Sequence, residues 1–270
     1  MLIGSQTFIQ SELTSRPSSN FLEKNLYPCH PHCVTRQFAV FSPSHLTAVA
    51  VGFFVMSVLI VSARRSPEVA KPIARAVLAF FCLTAYGYSQ FAWSTCPHPV
   101  DLDNSLPFHL CDITAFLAGY ALLSRKSWAQ ELTYYWGLAA TLQALITPAL
   151  LYDFPHFTFF TFFLHHFAIV GSSLFIPLCD GWKPSLPWWR SPRRAFFCVN
   201  LYLLFAGLLN MMLGTNFGFV AHPPENPSLI DHLGPWPIYL IWFEVIAWIL
   251  FILLTLPWLR KNPTIGGIAS

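Results

Sequence analysis

Seven apolar runs of about 20 residues each dominate the sequence and restrict what the chain can fold into. They cover approximately residues 43–63, 73–93, 106–124, 129–148, 157–178, 195–214 and 235–258. A helix needs roughly 20 mostly apolar residues to cross a bilayer, whereas the strands of a membrane barrel alternate in polarity. The runs do not alternate, and charged residues make up only 10% of the chain, too few to keep a water-soluble domain solvated. We therefore predict an all-α polytopic membrane bundle of seven transmembrane helices.

Positive charge is concentrated on alternate connections between these runs. The first, third and fifth connections and the segment after the last run carry Arg64, Arg65, Lys71, Arg75, Arg125, Lys126, Lys183, Arg190, Arg193, Arg194, Arg260 and Lys261. The other connections lack Lys and Arg and hold Asp101, Asp103, Asp153, Glu225 and Asp231. Because cytoplasmic loops carry the excess of Lys and Arg, we predict an outer N-terminus and a cytoplasmic C-terminus in the plasma (cell inner) membrane. The net charge of +3 is too small and dispersed to indicate nucleic-acid binding.

The ends of the chain differ in composition from the predicted membrane domain at residues 43–258. Residues 1–42 are polar and rich in Ser and Pro, which predicts a flexible outer tail, and residues 259–270 form a short cytoplasmic tail. The Cys29–Cys33 stretch has a spacing that matches no standard metal site, and the odd count of seven cysteines does not indicate a disulfide framework. The sequence therefore predicts neither a metal nor a cofactor.

A histidine, a cysteine and an aspartate open the third run. His109 and Asp112 are spaced i and i+3, which places them on one face of a helix, with Cys111 beside Asp112. Ionisable groups within a membrane are costly and commonly functional, so we treat this trio as candidate catalytic residues. A polar contact that fastens the third helix to a neighbour accounts for them equally well.

Two adjacent histidines lie in the fifth run. His165 shares a helical stripe with Thr158, Thr161 and Ser172, which predicts that it points into the bundle. His166 falls among phenylalanines, which favours a structural or interfacial role. We therefore add His165 to the candidate catalytic residues and keep His166 as a contact residue.

Other polar residues are predicted to line the same outer region of the bundle and to bind substrate. They are Gln143, Thr147, His156, Asn210, Asn216, Asp231 and Glu244. With the predicted orientation, five of the seven spans contribute polar groups to the outer half, while the inner half of those spans is almost wholly apolar. This asymmetry predicts a pocket open to the outer face or outer leaflet. Glu244, like His165, is expected closer to the midplane.

Several ordered motifs resemble those of the YwaF-type family of bacterial integral membrane proteins. The resemblance covers about residues 38–258 and is carried by Phe41–Leu46 (FSPSHL), Leu106–Phe116 (LPFHLCDITAF), Tyr135–Gly137, Gln143–Pro148 (QALITP), Phe154–Phe157, His165–His166, Asn216 and Pro227–Tyr239 (PSLIDHLGPWPIY). This family is distantly similar to eukaryotic multi-pass proteins that include a phospholipid acyltransferase using a cysteine and a histidine, and lipid hydrolases using a threonine and a histidine.

The resemblance implies an intramembrane nucleophile–histidine site that acts on a lipid acyl ester, with a membrane lipid as the partner. In the eukaryotic acyltransferase the cysteine directly precedes the histidine, and Phe108 occupies that place here. Cys111 then serves as the nucleophile from two residues later, or a threonine replaces it, with His165 or His109 as base and Asp112 orienting the base.

Two other functions fit the same residues. A transporter or receptor would use His109, Asp112, His165 and Glu244 to bind a cation, protons or a small polar solute. A metal site built from His109, Asp112, His156 and His165 ranks below both, because no short metal-binding motif supports it. The sequence leaves the substrate, the nucleophile and the oligomeric state open.

Overall fold

The protein is helical throughout the ranges that its structure, a computed structural model, describes, namely residues 36–94, 102–224 and 228–259. The elements are α1 (Pro43–Arg65), α2 (Ala70–Ser94), α3 (Leu102–Ser105), α4 (Leu110–Ser124), α5 (Ser127–Trp136), a π-helical turn (Gly137–Thr141), α6 (Leu142–Ile146), α7 (Phe157–Cys179), α8 (Arg190–Leu213), two 3-10 turns (Phe217–Phe219 and Leu229–His232) and α9 (Ile238–Leu259). Within these ranges the single β-bridge joins Gln37 to Tyr152.

Five helical segments in the described ranges are long and apolar enough to cross a membrane. They are Pro43–Arg65, Leu102–Ser124, Phe157–Cys179, Arg190–Leu213 and Ile238–Leu259. The other two predicted runs are also helical, but Ala70–Ser94 carries polar residues in its second half, and Ser127–Ile146 is interrupted by the π turn. The all-helical membrane architecture is thus confirmed, whereas the count of seven spans and the orientation stay predictions.

Helix α7 forms the centre of the bundle. Within its most apolar window 72% of the residues are buried, against 17% for α1 and for α9. It packs against α1, α2, α4 and α5, while α8 and α9 lie at the periphery. Small residues allow the close approach of its neighbours, since Gly171 packs under Leu78, and the Ser173 hydroxyl donates to the Thr133 carbonyl at 2.8 Å.

The basic end of the bundle, where the α1–α2, α4–α5 and α7–α8 connections and the end of α9 lie, is held by buried ion pairs. Glu131 accepts hydrogen bonds from Arg194 and Ser191, each at 2.6 Å, and its side chain is 4% exposed. Asp180 accepts from Arg75, with Lys71 at 3.7 Å. The prediction that this half of the spans is almost wholly apolar therefore fails at Glu131, whose carboxylate is buried within the predicted fourth span.

At the opposite end, the residues before α1 and the first turn of α1 pack onto the end of α6 and the connection between α6 and α7. The Asp153 carboxylate accepts from the Ser44 hydroxyl at 2.6 Å and lies 3.8 Å from Arg36. The buried His45 donates through Nε2 to the Leu145 carbonyl at 2.9 Å, which satisfies a backbone group near the end of α6. Part of the predicted tail, residues 36–42, is thus packed, whereas residues 1–35, with the Cys29–Cys33 stretch, and residues 260–270 lie outside the described residues.

Candidate functional site

The start of α4 is built like a capped helix terminus. His109 has extended backbone angles (φ −65°, ψ 148°) and is the N-cap, so the helix begins at Leu110. The Asp112 carboxylate, three residues later at the N3 position, lies near the backbone N–H of His109. The predicted role of Asp112 in orienting the His109 imidazole stays a prediction.

A tyrosine from α8 holds the same stretch of backbone. The Tyr202 hydroxyl donates to the Phe108 carbonyl at 3.0 Å and faces the backbone N–H of Leu110. Its ring is 6% exposed, and a Cβ added at Gly218 would lie 2.9 Å from its oxygen. Because Gly218 has φ +68°, which favours glycine, the turn after α8 can pass close over this tyrosine.

His165 approaches the start of α4 from the central helix. Its Nε2 donates to the Cys111 carbonyl at 3.4 Å, and its Nδ1 lies 4.0 Å from an Asp112 carboxylate oxygen. A carbonyl only accepts, so this bond places the hydrogen of a neutral imidazole on Nε2 and leaves the Nδ1 lone pair facing Asp112. His165 is 5% exposed and is the ninth residue of α7, about 12 Å along the helix from its first residue.

The neighbouring histidine, His166, forms its hydrogen bond within its own helix. His166 donates from Nδ1 to the Phe162 carbonyl at 2.8 Å, and its ring stacks on the Phe162 ring with centroids 4.0 Å apart. The two imidazoles have centroids 5.1 Å apart. Both histidines are 5% exposed, so burial alone does not separate them; their hydrogen-bond partners do.

The ring of His109 packs on the aromatic 3-10 turn that follows α8. Its centroid lies 5.4 Å from that of Phe217 and 5.8 Å from that of Phe219. As the N-cap, His109 precedes the regular helix, so its ring need not share a face with Asp112. The structure thus groups Cys111, Asp112 and His165, and seats the His109 ring against the aromatic turn.

Three of the predicted contact residues make hydrogen bonds at the end of α6 and the start of α7. Gln143 donates from Nε2 to the Thr147 hydroxyl at 3.1 Å, one turn along the same helix end. His156 is the N-cap of α7, and its Nδ1 accepts from the Thr158 hydroxyl at 2.7 Å and from the Thr158 backbone N–H. These bonds satisfy groups near helix ends, which explains why polar residues occur there.

Two asparagines shape the turn after α8. The buried Asn210 accepts through Oδ1 from the Thr215 hydroxyl at 3.0 Å and from the Phe217 backbone N–H at 2.8 Å. The backbone N–H of Asn216 donates to Asp103 at 2.6 Å, which fastens this turn to α3. Side-chain hydrogen bonds therefore fix the turn that carries Phe217, against which the His109 ring packs.

The last two predicted contact residues have local partners. Glu244 on α9 accepts from the Asn200 amide of α8 at 2.9 Å. Asp231 is exposed and accepts from the Ser228 backbone N–H at 3.0 Å in the capping box of the second 3-10 turn. Substrate binding by these residues stays a prediction.

Metal-binding residues do not converge within the described part of the chain. No group of three or more His, Cys, Asp or Glu side chains there is placed to hold a metal ion. The described cysteines, Cys82, Cys111, Cys179 and Cys198, are free thiols. The structure therefore gives no support to the metal-site hypothesis over these residues.

The sequence interpretation missed Tyr202, although a signal for it exists. Tyr202, Ala206 and Asn210 recur every four residues on α8, and all three are buried. A tyrosine in line with an inward asparagine has a hydroxyl that needs a hydrogen-bond partner, which here is the Phe108 carbonyl before α4.

The helices and the buried polar site define a multi-pass membrane protein. The chain belongs to the TMEM164 family, which it matches over residues 40–255, nearly the whole of the predicted membrane domain. No curated protein and no solved structure shows significant similarity to it.

Proposed function

We propose that this protein is a membrane enzyme that transfers or hydrolyses an acyl group of a membrane lipid, with Cys111 as nucleophile and His165 as general base. One observation carries the proposal: His165, from the central helix, packs against the Cys111–Asp112 dipeptide at the start of α4. A histidine beside a cysteine can act as the base that activates its thiol for attack on an ester, and Asp112, 4.0 Å from Nδ1, would pair with the imidazolium once that nitrogen carries the proton.

In the proposed reaction, Nδ1 of His165 takes the proton of the Cys111 thiol while the sulfur bonds to the ester carbonyl carbon of the lipid. The carbon–oxygen ester bond then breaks, and the leaving alkoxide takes the proton from the imidazolium. A thioester remains on Cys111. An acceptor alcohol or water attacks this thioester, gives its proton to His165 and releases the acyl product, and the sulfur regains a proton. Asp112 stabilises the imidazolium that forms at each step.

The position of the site suits a lipid ester. Cys111 lies in the first turn of α4, and His165 lies about 12 Å from the start of α7, so the reacting groups are a few turns inside one end of the bundle. Ester carbonyls of phospholipids lie at a comparable depth, between the head groups and the hydrocarbon. The sequence motifs resemble those of the YwaF-type family, and the distant similarity of that family to lipid acyltransferases and hydrolases supports the same substrate class.

We further propose that the chain crosses the plasma membrane seven times, with the basic end in the cytoplasm and the N-terminus outside. Helix α2 has 25 residues, and Ser127–Ile146 has 20, so each has the length that a membrane crossing needs. Reporter fusions after each connection test this arrangement. A reporter joined after Ser66 and one joined after Ser124 should both be cytoplasmic; opposite locations would contradict it.

Trapping the acyl-enzyme tests the enzymatic proposal. Purified protein in lipid micelles is incubated with a phospholipid carrying a labelled acyl chain, and the hydroxylamine-sensitive label on Cys111 is located by mass spectrometry. We expect the label in the wild type, none in Cys111→Ala, and a rate about 10²–10⁴-fold lower in His165→Asn, as for loss of a general base. Lipid profiles of cells that carry each variant give the in vivo readout.

Matched variants keep the result interpretable. Cys198→Ala removes a half-buried thiol on α8, and His166→Asn removes the imidazole that is bonded within α7; both should acylate at close to the wild-type rate. Absence of a thioester in the wild type, together with unchanged lipid composition in every variant, would refute the enzyme. Binding or transport of a small solute that is lost in His165→Asn would then favour a transporter.

A further inference from the structure

A small cavity lies at the basic end, on the far side of the bundle from Cys111. It has a volume of about 40 Å³ and lies between the α7–α8 connection (residues 183–186 and Trp188) and the last turns of α9 (Thr255, Trp258 and Leu259). A void needs at least about 10–15 Å³ to hold one water molecule, so the cavity has room for a small polar group.

The walls of the cavity are held in place by hydrogen bonds within the protein. Ser185 accepts from Arg194 at 2.6 Å, and its backbone N–H donates to the Ser191 hydroxyl at 2.8 Å. On the other side, the Trp258 indole donates to the Tyr134 hydroxyl at 3.1 Å. A site whose walls are already ordered loses little conformational entropy when it binds.

Positive charge around the cavity is in excess. The two buried carboxylates of this end, Glu131 and Asp180, are already paired with Arg194 and with Arg75 and Lys71. By contrast, the described residues place no carboxylate within 4.0 Å of Lys183, which lines the cavity, or of Arg190 and Arg193, which follow it in the chain. An anion from outside the chain is the natural counterion for such charges.

The surroundings of the cavity are those of a membrane interface. Trp188 is 42% exposed at its rim, and tryptophan is enriched where head groups meet hydrocarbon. Below the rim, Leu259, Leu256 and Leu253 recur every three residues along α9 and are 39%, 44% and 51% exposed. This stripe leads away from the cavity along the lipid-facing side of the helix, as an acyl chain would.

We propose that this cavity binds the phosphate of an anionic phospholipid from the leaflet that surrounds the basic end. Lys183 supplies the charge, Ser185 and Trp188 border the head group, and an acyl chain follows the leucine stripe of α9. Basic pockets between membrane helices bind acidic lipids in this way. The site is separate from the proposed acyl-transfer centre and does not depend on its activity.

Native mass spectrometry of the full-length protein tests the proposal with an equimolar mixture of phosphatidylglycerol and phosphatidylcholine. The wild type should retain phosphatidylglycerol preferentially. Lys183→Gln should lower its occupancy about fivefold, the effect of roughly 1 kcal/mol for one lysine near a membrane surface, whereas Lys183→Arg should retain it. The matched control is Lys126→Gln, which removes an exposed lysine of the same end that does not line the cavity.

Three outcomes would overturn the assignment. Equal retention of the two lipids by the wild type would exclude a phosphate-selective site. An equal loss of phosphatidylglycerol occupancy in Lys183→Gln and Lys126→Gln would mean that the overall positive charge of the basic end attracts the lipid and that the cavity does not bind it specifically. Displacement of the lipid by millimolar inorganic phosphate would identify a soluble anion as the ligand. Melting temperatures of all variants show whether each one is folded.

Discussion

Replacing Arg194 by alanine should destabilise the basic end of the bundle, because the buried carboxylate of Glu131 loses its cation. The Glu131 side chain is 4% exposed, and Arg194 reaches it with two hydrogen bonds, at 2.9 and 2.6 Å. Removing one partner of a buried ion pair commonly costs about 3–5 kcal/mol. The Arg194 side chain is 45% exposed, so water can enter the vacated space, and the Ser191 hydroxyl still donates to the carboxylate. We therefore expect a cost of about 2–3 kcal/mol.

Thermal unfolding in detergent measures this effect. At roughly 2–4 °C for each kcal/mol, Arg194→Ala should lower the melting temperature by about 5–10 °C. Glu131→Gln removes the charge but keeps an amide that can bond to the same hydroxyls, so it should cost about 1 kcal/mol. The double variant should then lose less than the sum of the two single variants, because no unpaired charge is left.

An exposed arginine of the same helix serves as the control. Arg190→Ala should change the melting temperature by less than about 2 °C, since no carboxylate within the described residues pairs with it. Additive losses in the double variant, or an unchanged melting temperature for Arg194→Ala, would refute the assignment of this pair as the support of the basic end.

Two further substitutions test other parts of the bundle. Tyr202→Phe leaves the Phe108 carbonyl without its 3.0 Å partner, so we expect slower thioester formation on Cys111 and a loss of stability of about 1–2 kcal/mol. Tyr134→Phe, whose hydroxyl donates to the Leu254 carbonyl at 2.8 Å, should cost similar stability but leave the rate unchanged. Gly137→Ala places a Cβ 2.0 Å from the Ser173 hydroxyl, so it should cost about 1–3 kcal/mol by overpacking, and an unchanged melting temperature would contradict the close contact of α5 and α7.

Much of the fold follows from hydrophobic run length, because every run of about 20 apolar residues contains helix. The break at Gly137–Thr141 does not follow from it, since a π turn is a local irregularity within a helix that the length of an apolar run does not encode; in the structure Gly137 of this turn lies close to Ser173 of α7. Run length alone therefore predicts where helices lie better than whether they are continuous.

The candidate site was predictable in part. Periodicity along α7 predicts the inward position of His165, which the structure buries against Cys111. The relation of the His109 ring to Asp112 does not follow from their i, i+3 spacing, because that spacing places side chains on one face only within a helix, and His109 lies just before α4. Glu131 was not foreseen as buried, since its partner Arg194 is 63 residues away and no local pattern links them.

The enclosure of α7 has a consequence for how the protein responds to bilayers of different thickness. Thicker or thinner bilayers are accommodated by helices that can tilt against lipid, and α1 and α9 have most of their surface free to do so. Helix α7, wrapped by its neighbours, takes little part in that adjustment. We therefore expect His165 and the start of α4 to keep their spacing when α1 and α9 tilt, which would protect the proposed reaction centre from changes in bilayer thickness.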